Sequence, residues 1–329
     1  MAANILVAQH VGAREVQQAR RITGTSATFF VILSLATSFL GLLFTPQLLA
    51  WMQTPADALP FALSYLRIIF VALPMSFGFF FVMAVLRGAG DSKTPFLFML
   101  ASSILDVGLN PLLIFGVGPF PKMGIAGSAT ATLIAQTVSL SGMILYLYRT
   151  RHFLCIHRGE LELFRIDWPV IRVLIVKGLP MGLQMLVGSS SLLVMMSFVN
   201  HHGSEVTAAF AACMQLWSYI EMPAIALSAS VSSMAAQNVG AARWDRVSHI
   251  ARTGVGFNFL LSGVLILLLY LLNRPALGLF LPVGADALEI AAHANALIVW
   301  SFALFGVTLV LFGVVRATGA TTAPVVLLF

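Results

Sequence analysis

The chain is 329 residues long, 59% hydrophobic and only 9% charged, with a formal net charge of +6 and a mean hydropathy of +0.96. A soluble globular domain carries about a quarter charged residues, so this composition excludes a soluble enzyme or binding module and defines an integral membrane protein. Two cysteines exclude a disulfide framework, and "GAGDSKT" lacks the residue spacing of a nucleotide phosphate loop, which excludes a nucleotide motor built on one.

A bilayer core about 30 Å thick needs ~20 apolar residues per helix. In chain order, such runs are expected as helices at Thr25 to Phe44, Leu59 to Leu86, Pro95 to Phe115, Gly124 to Tyr148, Ile171 to Val199, Val206 to Ala236, Gly254 to Leu272 and Leu288 to Val315. The alternating segments of about ten residues that mark a membrane β-barrel are missing, so the expected fold is all-α and polytopic. Proline inside long runs, as in "VALPMSFGFF" and "IEMPAIAL", predicts kinked or tilted helices. The first residues pass straight into the polar stretch "AREVQQARR", and no signal peptide is expected.

Counted over alternate connections, fifteen of the 18 Lys and Arg fall on one side; Lys122 and Arg274 fall on the other, and Arg67 lies within a helix. Because basic loops stay inside, the loops 12–23, 87–94, 149–171, 239–253 and 316–323 are expected to be cytoplasmic. The basic balance therefore reports topology and contact with anionic lipid headgroups, and implies no nucleic-acid partner. Cys155 lies in the longest of these loops, so an impermeant thiol reagent is expected to label it only in opened cells. "HFLCIH" offers His152, Cys155 and His157, but three such groups in a charged loop read as solvated side chains, and no metal site is expected.

The chain repeats itself. "AQHVGAREVQQARRITG", starting at Ala8, is echoed 228 residues later by "AQNVGAARWDRVSHIARTG", starting at Ala236. "RGAGDSKTP" (Arg87 to Pro95) is echoed 229 residues later by "RATGATTAP" (Arg316 to Pro324). Markers in one order at nearly one period indicate an internal duplication. Residue 1 then corresponds to a position inside a helical run, so the chain is expected to begin at the end of a helix, and "VVLLF" to stop early in the counterpart of the Pro95 helix. The expected organisation is two parallel six-helix repeats, with an N-terminal lobe over 1–148, a cytoplasmic linker over 149–171 and a C-terminal lobe over 172–329. About eight complete and two partial helices of the twelve would fall in this chain.

Several segments together resemble one family: "LRGAGDSKTP", "LNPLLIFGVGPFPKMGIAGSATATLIAQ", "GLPMGLQ", "AAQNVGA" and "RATGATTAP". In order and spacing they are similar to the multidrug and toxic compound extrusion (MATE) transporters, over essentially the whole chain. The resemblance implies a monomeric secondary antiporter of the bacterial inner membrane, with two lobes rocking about a central cavity. Inward flow of protons, or alternatively sodium ions, would export organic cations or other amphipathic or apolar toxic compounds, with no cofactor beyond the coupling ion. A lipid-linked oligosaccharide flippase of the same superfamily and a non-transporting membrane fragment are the alternatives.

Ionisable groups at membrane depth cost ~2.5–3.5 kcal/mol on insertion scales and are retained for function. Asp106 stands near the middle of its run, with Asn110 at i+4 on the same helix face. Proton-coupled members of the family carry an Asn and an Asp one turn apart on this helix; here the order is exchanged. Asp106 and Asn110, assisted by Thr132 and within reach of Thr130, are the expected ion-coupling residues. Sodium-coupled members carry a Glu in the seventh helix, where this chain offers Gln184. Glu221, with Trp217 at i−4, combines an acid and an aromatic suited to an organic cation. Gln184 and Met185 are the further expected substrate contacts, the thioether supplying adaptability. Gly124 and Gly127 are expected to permit close helix packing.

Overall fold

The computed structural model describes residues 1–156, 158–282 and 286–327. Among these the secondary structure is helical, without strands. The helices are α1 (Ala2–Gly12), α2 (Val16–Trp51), α3 (Leu59–Gly88), α4 (Lys93–Phe115), α5 (Ile125–Arg149), α6 (Trp168–Asn200), α7 (Ser204–Gly240), α8 (Trp244–Leu271), α9 (Asn273–Leu277), α10 (Asp286–Ile298), α11 (Ser301–Ala317) and α12 (Ala323–Val326), with a 3₁₀ segment at Arg158–Phe164.

Each of the eight expected runs is helical, and most extend past their apolar stretch into polar residues. α2, for instance, starts at Val16 and carries Arg20 and Arg21 within its first turns. Among the described residues, six helices are long and apolar enough to cross a membrane: α2, α3, α4, α5, α6 and α8. The last expected run differs. It is interrupted between Ile298 and Ser301, and α10 and α11 meet at 50°, forming a seventh span only when taken together. α7 has the length, but its Glu205, Gln215, Glu221 and Gln237 among many Ala and Ser leave it less apolar. Twelve of its residues are buried against neighbouring helices, so protein replaces lipid around much of its surface.

Helix ends follow local chemistry. Asp91 Oδ1 accepts the main-chain N–H of Lys93 at 3.1 Å and of Thr94 at 3.0 Å, satisfying donors that α4 leaves free at its start. α4 stops at Gly116, whose φ of 73° and N–H bond to the Leu112 carbonyl form a left-handed cap.

The chain divides into two compact units, Leu6–Leu174, and Ile175–Phe329 together with Met1–Ile5. The segment 149–171 packs within the first unit, and the division falls inside α6. In the first unit, Phe79, Met83 and Leu86 of α3 meet Met143 and Leu147 of α5 and Cys155. In the second, Ala209 to Trp217 on α7 pack against Leu277, Leu288 and Ala291. Glycines bring backbones together, as expected where lipid gives helices no hydrophobic reason to associate. A Cβ on Gly313 of α11 would stand 2.8 Å from the Ser228 carbonyl oxygen of α7.

Candidate functional site

The first unit builds its polar interior on the α4–α5 pair. Gly127 sets the spacing, since a Cβ there would lie 2.6 Å from both the carbonyl carbon and the oxygen of Leu113. Gly124 works differently from the expectation: its φ is +58° and a Cβ would meet nothing within 4 Å, so it turns the chain into α5 and does not close a helix contact.

At this spacing Asp106, half-buried on α4, meets Thr132 on α5, whose hydroxyl donates to Asp106 Oδ1 at 3.0 Å. Asn110 is also half-buried, but its amide donates to the main-chain carbonyl of Asp106 at 3.0 Å and not to the carboxylate. The reason is directional. Helical side chains lean toward the N-terminus, so Asn110 reaches back to the carbonyl of residue 106 while the Asp106 carboxylate leans away from it. Thr130 turns back to the Ala126 carbonyl at 2.9 Å and takes no part. Among the described residues no cation pairs with Asp106.

Sequence reasoning missed the next members of this track. One turn beyond Thr132, Gln136 Oε1 accepts the Ser76 hydroxyl from α3. Ser128, Thr132 and Gln136 recur every four residues on α5, a signal present in the sequence. Ser76 carries no such signal, because it enters from another helix.

The expected substrate residues lie in the second unit and are not joined to one another. Trp217 is 8% exposed, its Nε1–H donates to Asn295 Oδ1 at 2.8 Å, and Phe210 and Phe302 pack on its ring. Asn295 in turn donates to Asn273 at 2.9 Å, and Asn273 to the Ala292 carbonyl at 2.8 Å. This chain of bonds ties α7 and the start of α9 to α10. Glu221 is half-buried with no hydrogen bond or ion pair among the described residues. Gln184 Oε1 accepts from Arg316 Nη2 at 2.5 Å. Met185 is 69% exposed on α6. Arg67 is exposed on α3 and has no acid partner among the described residues.

The basic segments are less solvated than the sequence suggested. Arg20 is largely buried and grips both carboxylate oxygens of Glu160, with a further bond of 2.6 Å to the Cys155 carbonyl. Arg21 pairs with Asp167 at 2.8 Å. Thr25 and Thr28 donate to the carbonyls of Arg165 and Phe164 at 3.1 and 2.8 Å. Together these bonds strap the segment 155–167 onto α2.

Cys155 is buried beneath this strap, not free in a loop. Burial pushes its thiol above the ordinary range, against a smaller opposing pull from Arg20 and a hydrogen bond to the His152 backbone. His152 is held below its usual value by burial, partly offset by the charge of Asp91, and its Nδ1 accepts the Leu154 N–H at 3.3 Å. For Asp91, burial pushes upward, but hydrogen bonds from Thr94 and Lys93 and the charge of His152 bring the carboxyl below its ordinary value. His157 lies outside the described residues. Among those described, no three His, Cys, Asp or Glu are placed to hold a metal ion.

Long apolar helices, glycine-mediated contacts and a carboxylate bonded by the Thr132 hydroxyl within a span define the class: a multi-pass membrane transporter. The family pattern described as MatE matches residues 1–112 and 180–329, so the chain belongs to the MatE family, whose members are transporters and not enzymes. It is 36% identical over 324 residues to the "probable multidrug resistance protein YoeA" of Bacillus subtilis (strain 168), covering 98% of this chain and 70% of that protein. It is 30% identical over 254 residues to the "FAD transporter" of Shewanella oneidensis MR-1, covering 77% of this chain and 55% of that protein. Among solved structures, MATE in complex with MaD3S superposes with a TM-score of 0.91 at 19% identity, covering 99% of this chain and 71% of that one. The fold is thus that of the MATE transporters.

Proposed function

We propose that the protein is a proton-coupled antiporter that exports organic cations or other amphipathic toxic compounds by alternating access, with Asp106 as the proton-carrying group. The observation that carries this reading is the Asp106 carboxylate itself. It lies thirteen residues into α4, ~20 Å along a helix ~34 Å long at ~1.5 Å per residue, half-buried, bonded by a neutral hydroxyl and unpaired with any described cation. A carboxylate so placed can take up a proton without first breaking an ion pair, and a charge crossing 100 mV is worth ~2.3 kcal/mol to the cycle. Thr132 orients the carboxylate, and Asn110 holds the backbone beneath it. Glu221, with no partner among the described residues, is the group that would meet a cationic substrate, with Gln184 and Met185 as further contacts.

Two parallel six-helix lobes, divided near residues 149–171, fit this reading. The duplication is supported by backbone geometry at matching offsets: Arg14 and Ala242 have φ of 62° and 56°, and Gly90 and Gly319 have φ of 94° and 95°. The excess of basic residues on alternate connections supports an inner-membrane orientation with those loops in the cytoplasm.

The relation to the FAD transporter favours one other reading, an organic anion as cargo. Arg67, exposed within its span and free of described acids, would then meet the phosphates.

The test is Asp106→Asn, nearly isosteric but unable to titrate. In proteoliposomes with an imposed proton gradient, the variant should fold normally and lose gradient-driven export of a cationic dye. Wild-type export that still collapses with a protonophore would place the coupling group elsewhere, and gradient-driven movement of a flavin nucleotide but no cationic dye would favour the anion reading.

A further inference from the structure

Where the strap 155–167 crosses the first turns of α2 and leads into α6, the surface opens into a cleft of about 640 Å³. Gln17, Gln18 and Arg21 of α2 form one side, and Glu162, Arg165 and Trp168 belong to the other. Arg21 is closed on Asp167 at 2.8 Å. Glu162 and Arg165 are different. They stand within one turn, the Arg165 N–H donating to the Glu162 carbonyl at 3.0 Å, yet both side chains are exposed and neither forms an ion pair among the described residues. The cleft therefore offers one unused cation and one unused anion on the same wall.

Its level relative to the bilayer follows from the chain. The apolar run of α2 begins just after Arg21, and α6 enters its span at Trp168. Trp168 is 72% exposed, and Phe164 and Ile166 beside it are exposed as well. Aromatic side chains at the first residue of a spanning helix mark the headgroup level.

We propose that this cleft binds the headgroup of a zwitterionic phospholipid, phosphatidylethanolamine. Its phosphate meets the Arg165 guanidinium, a geometry that suits phosphate, and its ammonium meets the Glu162 carboxylate. The acyl chains run along Phe164, Ile166 and Trp168. An anionic lipid such as phosphatidylglycerol would satisfy Arg165 with its phosphate but bring only an uncharged glycerol to Glu162, leaving that carboxylate without a cation, so charge complementarity selects the zwitterion. A lipid seated here would bridge α2, the strap and α6.

The experiment is native mass spectrometry of the purified, delipidated protein mixed with equal phosphatidylethanolamine and phosphatidylglycerol. Phosphatidylethanolamine should be retained preferentially. Arg165→Gln should lower its retention about fivefold, as expected for one basic contact at a membrane surface. Glu162→Gln should abolish the preference for it over phosphatidylglycerol. Arg149→Gln, which removes an exposed arginine at the end of α5, should change neither. Backbone bonds to Thr25 do not use the Arg165 side chain, so the variant keeps the strap, and an unchanged elution volume verifies this. Equal retention of phosphatidylethanolamine by Arg165→Gln and wild type would overturn the proposal, as would an equal or greater retention of phosphatidylglycerol by the wild type. Displacement of the lipid by free phosphoethanolamine at equal concentration would overturn the lipid as occupant.

Discussion

Replacing Gly127 by alanine tests whether helix spacing and the polar track are one device. The new methyl would stand 2.6 Å from the Leu113 carbonyl, which is backbone and cannot swing aside. Ordinary contact begins near 3.4 Å, so α4 and α5 must separate by 0.8 Å or more. If both move as rigid rods, the Thr132–Asp106 bond grows from 3.0 Å to about 3.8 Å, beyond hydrogen-bonding distance. Overpacking of this kind costs about 1–3 kcal/mol, while alanine in a helix returns about 1 kcal/mol over glycine. Gly108→Ala is the control, since it lies on α4 two residues from Asp106 and its Cβ would meet nothing within 4 Å. That variant should gain the helix term of about 1 kcal/mol and keep export. Thermal unfolding in detergent and dye export in proteoliposomes should therefore place Gly127→Ala below wild type and Gly108→Ala at or above it. If Gly127→Ala melts with Gly108→Ala and exports at the same rate, the α4–α5 spacing does not govern the Asp106 contact.

Other outcomes follow from the strap and its neighbours. Cys155 should resist alkylation at neutral pH in the folded protein and react fast once denaturant is added, because burial both shields the sulfur and disfavours the thiolate; rapid native labelling would contradict its position. Sidedness is better read from Arg149→Cys in a Cys155→Ser background, which an impermeant reagent should label only in opened cells. Burial depresses the folded-state value of His152, so the unfolded chain takes up the proton first as pH falls through about 6.5. Stability contributed by the neutral ring is thus present above that pH and lost below it. His152→Gln should flatten the fall in melting temperature between pH 7 and 5, and an unaltered profile would show that the ring is not the titrating group.

Hydropathy and charge are sums over neighbouring residues, and they already determine the helical membrane class and the approximate positions of the spans, while the resemblance to the MATE family rests on short segments such as "LRGAGDSKTP" and "AAQNVGA". The offset between "RGAGDSKTP" and "RATGATTAP" is likewise a property of the chain alone. Candidate acids were legible for the same reason, because any carboxylate in an apolar run is conspicuous. What each one touches was not. Asp106 meets Thr132 across 26 residues, Ser76 meets Gln136 across 60, and Arg20 meets Glu160 across 140. Those partners depend on how closely two helices approach, which Gly127 sets for one pair through an atom it does not have. Tertiary packing likewise buried Trp217 against Asn295, enclosed Cys155 beneath the strap and broke the last apolar run between Ile298 and Ser301. Periodicity gives a side chain its face on a helix, but only the neighbouring helix decides whether that face meets protein, lipid or water.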